Sequence, residues 1–152
     1  DLNPQRLDTA LVLGATDAVH PERLPVPDWV AEQTDGRGVD VVIVAVPLAA
    51  LQQEALGLLA PFGRLCLFAG LPRGGRGVEL DTNAIHYKNL VVTGTTGGSA
   101  QDYREALGLI QDGQLDVSPL VSHVFPFHQM QKAYDVALSG EGMKIVMSPD
   151  PE

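Results

Sequence analysis

Cysteine is almost absent: Cys66 stands alone in 152 residues, so neither an internal disulfide nor a cysteine zinc cluster can form. Doing without disulfides suits a reducing compartment, and the expected location is cytoplasmic. The flanks Leu65 and Leu67 mark Cys66 as a small apolar residue of a strand. Positive charge is scarce as well. Ten Lys and Arg against nineteen Asp and Glu leave a net charge of −9, which repels phosphate backbones and anionic lipid alike. Nucleic acid and membrane surfaces are therefore not expected partners. No apolar run reaches the ~20 residues of a bilayer helix, and the opening DLNPQR is not a charged-then-apolar leader. There is no GxSxG elbow and no paired-carboxylate motif, so nothing points to hydrolysis. His20, His86, His123 and His128 are scattered without zinc-ligand spacing.

What is present is a core-forming composition: 45% of the residues are hydrophobic, enough for one globular domain. Short β-branched runs alternate with helical patterns, the mark of parallel strands joined by crossover helices. Asn3 caps an opening helix with Pro4 in its first turn, Leu7, Ala10 and Leu11 form its apolar stripe, and Gly14 stops it. Thr16 to His20 reads as a short strand. Pro21, Pro25 and Pro27 then lead into a helix over Asp28 to Thr34, ended by Gly36 and Gly38. Val39 to Val46, VDVVIVAV, is nearly all apolar, as expected of a central strand covered on both faces. Leu48 to Leu59 predicts a helix stopped by Pro61 and Gly63, and Arg64 to Ala69 the next strand.

Past the glycine-rich loop Arg73 to Gly77 and the stretch Leu80 to Tyr87, Leu90 to Thr95 reads as another strand. Ser99 and Asp102 have capping-box spacing ahead of a helix whose Tyr103, Ala106, Leu107 and Ile110 share a face and which Gly113 ends. Val121 to Phe125 predicts a strand. Phe127, Met130, Tyr134, Ala137 and Leu138 stripe a last helix stopped at Gly140, Lys144 to Met147 is a final strand, and Pro149 and Pro151 end the fold.

A doubly wound sheet binds ligands at the carboxyl ends of its strands, so the residues that follow each strand are the candidate site: Ala45, Val46, Ala69, Gly70, Leu71, Thr95, Thr96 and Gly97. Apart from the threonines they offer backbone rather than side-chain polar groups, which suits a flat cofactor better than acid-base catalysis. Glycine at 70 and 97 lets a ligand approach the main chain, though both would equally serve plain turns. No GxGxxG occurs, so the phosphate-binding turn of a dinucleotide fold is not in this chain.

In order, DLNPQRLDTALVLGATDAVHP, TDGRGVDVVI, APFGRLCLFAGLP, HYKNLVVTGTTGGSAQDYREAL and LVSHVFPFHQMQKAYDVALSGEGMKIV resemble the zinc-type medium-chain dehydrogenase/reductase family over almost the whole chain. The resemblance leans to sorbitol, threonine and related alcohol or polyol dehydrogenases. It implies an α/β fold: an incomplete Rossmann-type doubly wound parallel sheet, with the first strand, the glycine-rich turn and most of the second strand missing. Residues 1–97 would form a partial NAD-binding domain, and residues 98–152 a segment that returns to pack on the catalytic domain. The missing first strand, which lies between the second and fourth in the family, would leave a hole in the sheet and exposed strand edges.

By the same resemblance Asp1 ends the second strand and hydrogen-bonds the adenosine ribose. Its charge would repel the extra phosphate of NADP, so NAD is the implied cofactor. Arg6 matches a basic position facing that ribose and phosphate, and Lys144 one that reaches the pyrophosphate, as a point charge rather than a fork. A solvated surface lysine would look the same in sequence. Backbone groups at Ala69, Thr95 and Gly97 would bind the nicotinamide carboxamide, with Ala45 and Val46 lining the cleft. After VDVVI the family commonly carries an acidic residue and a glycine, where this chain has Val44, Ala45, Val46 and Pro47. In the family, zinc polarises an alcohol oxygen and hydride passes to nicotinamide. Zinc is thus expected in the intact parent but not on this chain, which would be inactive without the N-terminal catalytic half and its small alcohol or polyol substrate. A homo-oligomer is expected through the strand Leu90 to Thr95. The alternatives are a non-catalytic piece, binding nucleotide or acting as a dimerising scaffold, and a methyltransferase-like nucleotide fold, against which GTTGGS and GMKIV speak.

Overall fold

A computed structural model of the protein describes residues 1–75 and 77–149. In chain order the elements are α1 (Pro4–Val12), α2 (Val26–Gln33), β1 (Val39–Val44), α3 (Ala49–Gly57), β2 (Leu59–Leu67), α4 (Thr82–Tyr87), β3 (Val91–Gly94), α5 (Ala100–Gln111), β4 (Val121–Pro126), α6 (Met130–Ser139) and β5 (Lys144–Ser148). They form two units, Pro21–Gly97 and Asp1–His20 with Gly98–Glu152. Arg76, inside the expected glycine-rich loop, and Pro151, at the expected end of the fold, lie outside the described residues.

In the Pro21–Gly97 unit, three parallel strands stand in the order β1-β2-β3. Strand periodicity sends alternate side chains to opposite faces. One face carries Val42 and Val44 of β1, Leu65 and Leu67 of β2, and Val92 of β3, which pack with Ala55 and Leu56 of α3 and with Ala84 and Ile85 of α4 into one core. Leu65 is fully buried at its centre. The other face carries Val41 and Ile43, which are 55% and 62% exposed. The expectation that Val39 to Val46 forms the sheet centre, covered on both faces, is therefore corrected. It ends at Val44, β2 is central, and β1 is an edge whose second face no helix of this unit covers.

The second departure lies between α3 and β2. The helix ends at Gly57 and the strand already begins at Leu59, ahead of Pro61 and Gly63. Leu59 is drawn into the sheet by burial and pairs with Val39, after which the register shifts so that Val41 faces Arg64. The shift is a bulge at Pro61–Gly63. Phe62 takes φ +64° and donates its N–H to the Lys88 carbonyl at 2.7 Å, while proline, having no N–H, loses nothing outside the ladder. α2 starts at Val26, two residues before its expected beginning, because Pro27 tolerates the first turn.

In the other unit Asn3 caps α1 by accepting from the Gln5 N–H at 2.9 Å, and Gly14 follows with φ +100°. Thr16 to His20, expected as a strand, is irregular. A strand needs a neighbour to complete its ladder, and the hydrogen bond found there runs from the Asp1 amino group to the Val19 carbonyl at 3.1 Å. β4 and β5 pair in parallel through α6, which buries Ala133, and Phe125 of β4 is buried too. α6 ends on left-handed Gly140. α5 opens on the expected capping box: the Ser99 N–H donates to Asp102 and the Asp102 N–H to the Ser99 hydroxyl. Its apolar face is formed but bare, with Tyr103 67% and Leu107 52% exposed. No helix among the described residues is long and apolar enough to cross a membrane.

Candidate cofactor-binding site

Parallel register decides which loop residues become neighbours. Val44 pairs with Leu67 and Leu67 with Gly94, so the three strands finish level. Their exits bring Ala45 and Val46, Ala69 to Leu71, and Thr95 to Gly97 to one end of the sheet, as a doubly wound fold requires of its ligand site. Ala45, Val46, Gly70, Thr95, Thr96 and Gly97 are exposed there, and Leu71 is half-buried. Gly97 has φ +62°, a conformation natural to glycine, and nothing lies within 4 Å of where a Cβ would stand on Gly70 or Gly97. A planar group can therefore approach the main chain at both.

Backbone hydrogen bonds already made at these exits limit what remains for a ligand. The Phe68 and Ala69 N–H groups both donate to the Val44 carbonyl, at 3.1 and 3.0 Å. The Thr95 N–H donates to the Leu67 carbonyl at 3.4 Å, and the Leu48 N–H to the Val46 carbonyl at 2.9 Å, turning the chain into α3. The Ala69 carbonyl accepts from Nε2 of Gln52 at 2.9 Å. Gln52 was not among the sequence candidates, although the signal was there: it is a polar residue three before Ala55 and four before Leu56, on the stripe that buries α3.

Asp1, Arg6 and Lys144 belong to the other unit. The Asp1 side chain accepts from the Asn3 N–H at 2.8 Å, and its second oxygen lies 4.0 Å from Nη1 of Arg6. Arg6 donates from Nη2 to the carbonyls of Gly140 and Gly142, at 2.7 and 3.3 Å, which fastens α1 to the turn between α6 and β5. Nε of Arg6 is buried without a hydrogen-bond partner. Lys144 is exposed at the start of β5, and its backbone carbonyl accepts from the Ser122 hydroxyl.

The carboxylates whose pKa lies below the ordinary range serve turns and caps. Asp40 is lowered by its hydrogen bond and charge pairing with Arg37, Asp102 by hydrogen bonds from the Ser99 backbone and side chain, and Asp116 by hydrogen bonds from Ser118. A cavity of about 270 Å³ lined by Val30, Ala31, Gly38 and Leu58 opens at the amino ends of β1 and β2, the wrong end for the chemistry. For a dinucleotide the residues at the strand exits fit, with small side chains, exposed main chain and two glycines open to approach. For zinc they do not: among the described residues no group of three or more His, Cys, Asp or Glu could hold a metal.

Comparison with known proteins places the fold and the family. The sequence model of the zinc-binding dehydrogenase family matches residues 1–112. An L-threonine 3-dehydrogenase of Bacillus licheniformis is 31% identical over 150 residues, covering 98% of this chain and 43% of the relative. A sorbitol dehydrogenase of Halalkalibacterium halodurans is 29% identical, over 95% of this chain and 41% of the relative. The crystal structure of an alcohol dehydrogenase zinc-binding domain protein from Burkholderia ambifaria superposes with a TM-score of 0.88 at 27% identity, covering 100% of this chain and 41% of that one. The chain thus spans about two-fifths of the length of the proteins it matches. With the family model covering most of its residues and the parallel sheet superposing on such an enzyme, the chain belongs to the zinc-binding dehydrogenase family.

Proposed function

We propose that the intact protein is an NAD-dependent alcohol or polyol dehydrogenase and that this chain is its cofactor-side portion, inactive alone. The observation that carries the reading is the level finish of β1, β2 and β3, which gathers Ala45, Val46, Ala69, Gly70, Leu71, Thr95, Thr96 and Gly97 into one small-residue, main-chain-rich surface. When bound, nicotinamide is the hydride acceptor for alcohol oxidation. The chain's own part is to hold it: backbone acceptors and donors orient the ring end, and the glycines admit its flat face. Asp1 takes the adenosine ribose, Lys144 the pyrophosphate, and Arg6 steadies both Asp1 and the Gly140–Gly142 turn beside Lys144. Residues 1–97 make the partial NAD-binding domain and residues 98–152 the segment that packs on the catalytic half. That half would provide the zinc and the proton relay.

Two measurements test it. The purified chain is assayed with NAD and a panel of polyols while bound zinc is counted, with neither turnover above blank nor stoichiometric zinc expected. In the full-length protein NAD should be preferred over NADP, and Asp1→Ser should erode the preference by removing ribose hydrogen bonds and repulsion of the added phosphate. Equal binding of both cofactors by the wild type would reject the placement of Asp1.

A further inference from the structure

Among the described residues Gln52 is the buried polar side chain, only 4% exposed, on a helix whose neighbouring buried residues are Ala55 and Leu56. A buried primary amide costs about 1–3 kcal/mol unless its hydrogen bonds are made, and an aliphatic side chain would fill the same space without that cost. What the amide does there is reach 17 residues along the chain to the Ala69 carbonyl. A carbonyl partner requires the nitrogen end of the amide, so Gln52 is the donor.

The bond joins two successive strand exits, since α3 follows β1 and Ala69 follows β2. Ala69 is then held from both sides: its N–H is donated to Val44 and its carbonyl is held by Gln52. The only backbone function Ala69 has left is the second lone pair of that carbonyl, so toward a ligand it can accept a hydrogen bond but not donate one. Gly70, next in the chain, has open space around it and no side chain to set the direction of the loop.

Building on the cofactor reading above, we propose that Gln52 is a positioning residue: it holds the Ala69 carbonyl as the acceptor for the carboxamide nitrogen of nicotinamide. It does not touch the cofactor. Its effect is confined to the nicotinamide end, so it separates NAD from ADP-ribose, which has the adenosine end and pyrophosphate but no nicotinamide.

The experiment measures calorimetric affinity of the full-length protein for NAD and for ADP-ribose, in wild type, Gln52→Met and Gln52→Glu. Gln52→Met keeps the volume and removes the donor, and NAD should bind about five- to tenfold more weakly, the worth of one oriented hydrogen bond, with ADP-ribose unchanged. Gln52→Glu can donate to the carbonyl only when protonated, so its NAD affinity should rise as pH falls through the carboxyl titration, a dependence the wild type and Gln52→Met lack. Should the buried carboxylate prevent folding, Gln52→Met alone decides. Unchanged NAD affinity in Gln52→Met, or equal loss of NAD and ADP-ribose, overturns the positioning role. A wild type that binds neither ligand instead overturns the cofactor reading itself.

Discussion

Gly36 and Gly38 both follow α2 and both have left-handed backbone, with φ +76° and +89°, yet their surroundings differ. A Cβ on Gly36 would meet nothing within 4 Å, whereas on Gly38 it would lie 2.6 Å from the Leu58 carbonyl oxygen, 2.8 Å from the Ala60 nitrogen and 2.8 Å from the Leu59 carbonyl carbon. All three are main-chain atoms at the start of β2, beside the Val39 to Leu58 hydrogen bond that begins the β1–β2 pairing. Gly36→Ala therefore carries only the left-handed cost of about 1–2 kcal/mol. Gly38→Ala carries that cost and forces backbone apart, which adds about 1–3 kcal/mol in a packed interior. Urea unfolding of the chain, followed by fluorescence of Trp29 in the same unit, its only tryptophan, compares the two variants directly. With a slope of about 2 kcal/mol per molar urea, the midpoint of Gly38→Ala should fall roughly 0.5–1.5 M below that of Gly36→Ala. Equal midpoints would refute the close approach of Gly38 to β2. Because this contact opens the β1–β2 register, Gly38→Ala should also disturb the alignment of Ala45 with Ala69 and weaken NAD binding in the full-length protein.

Two further outcomes can be checked. β3 is an edge of its sheet, Val91 on it is 45% exposed, and Lys88, whose charge would discourage pairing, is turned inward to the Leu59 carbonyl at 3.1 Å. The chain should self-associate through this edge and Val91→Lys should shift it to monomer in light scattering across a dilution series; a wild-type monomer, or a dimer indifferent to the change, would reject the interface. The Asp102 carboxyl is held below its ordinary value of 3.8 by hydrogen bonds from the Ser99 backbone and hydroxyl. Its folded pKa is depressed, so its contribution to α5 is complete well above pH 3.8 and is lost as pH falls through the lower folded value. Acid titration by circular dichroism should show that loss in the wild type and not in Asp102→Asn.

Much of the local structure could be read from residues alone. Asn3 and Pro4 mark the start of α1, Ser99 and Asp102 that of α5, and Gly140 the stop of α6, because caps and stops depend on groups a few residues apart. The exits of β1, β2 and β3 were legible for the same reason: a mostly apolar run ended by small residues identifies a strand exit. Gln52 was passed over because its meaning depends on Ala69, a partner far along the chain.

Sequence by itself determined the alternation of strand and helix, the acidic surface charge and the family, since each depends on residue order or composition alone. Tertiary structure decided that β1 stands at an edge despite its nearly all apolar run, that Thr16 to His20 forms no ladder, and that Leu59 is already strand ahead of Pro61. An apolar run specifies a wish for burial but not what supplies it. Whether a segment pairs, is covered or stays open is set by backbone groups brought from elsewhere in the fold.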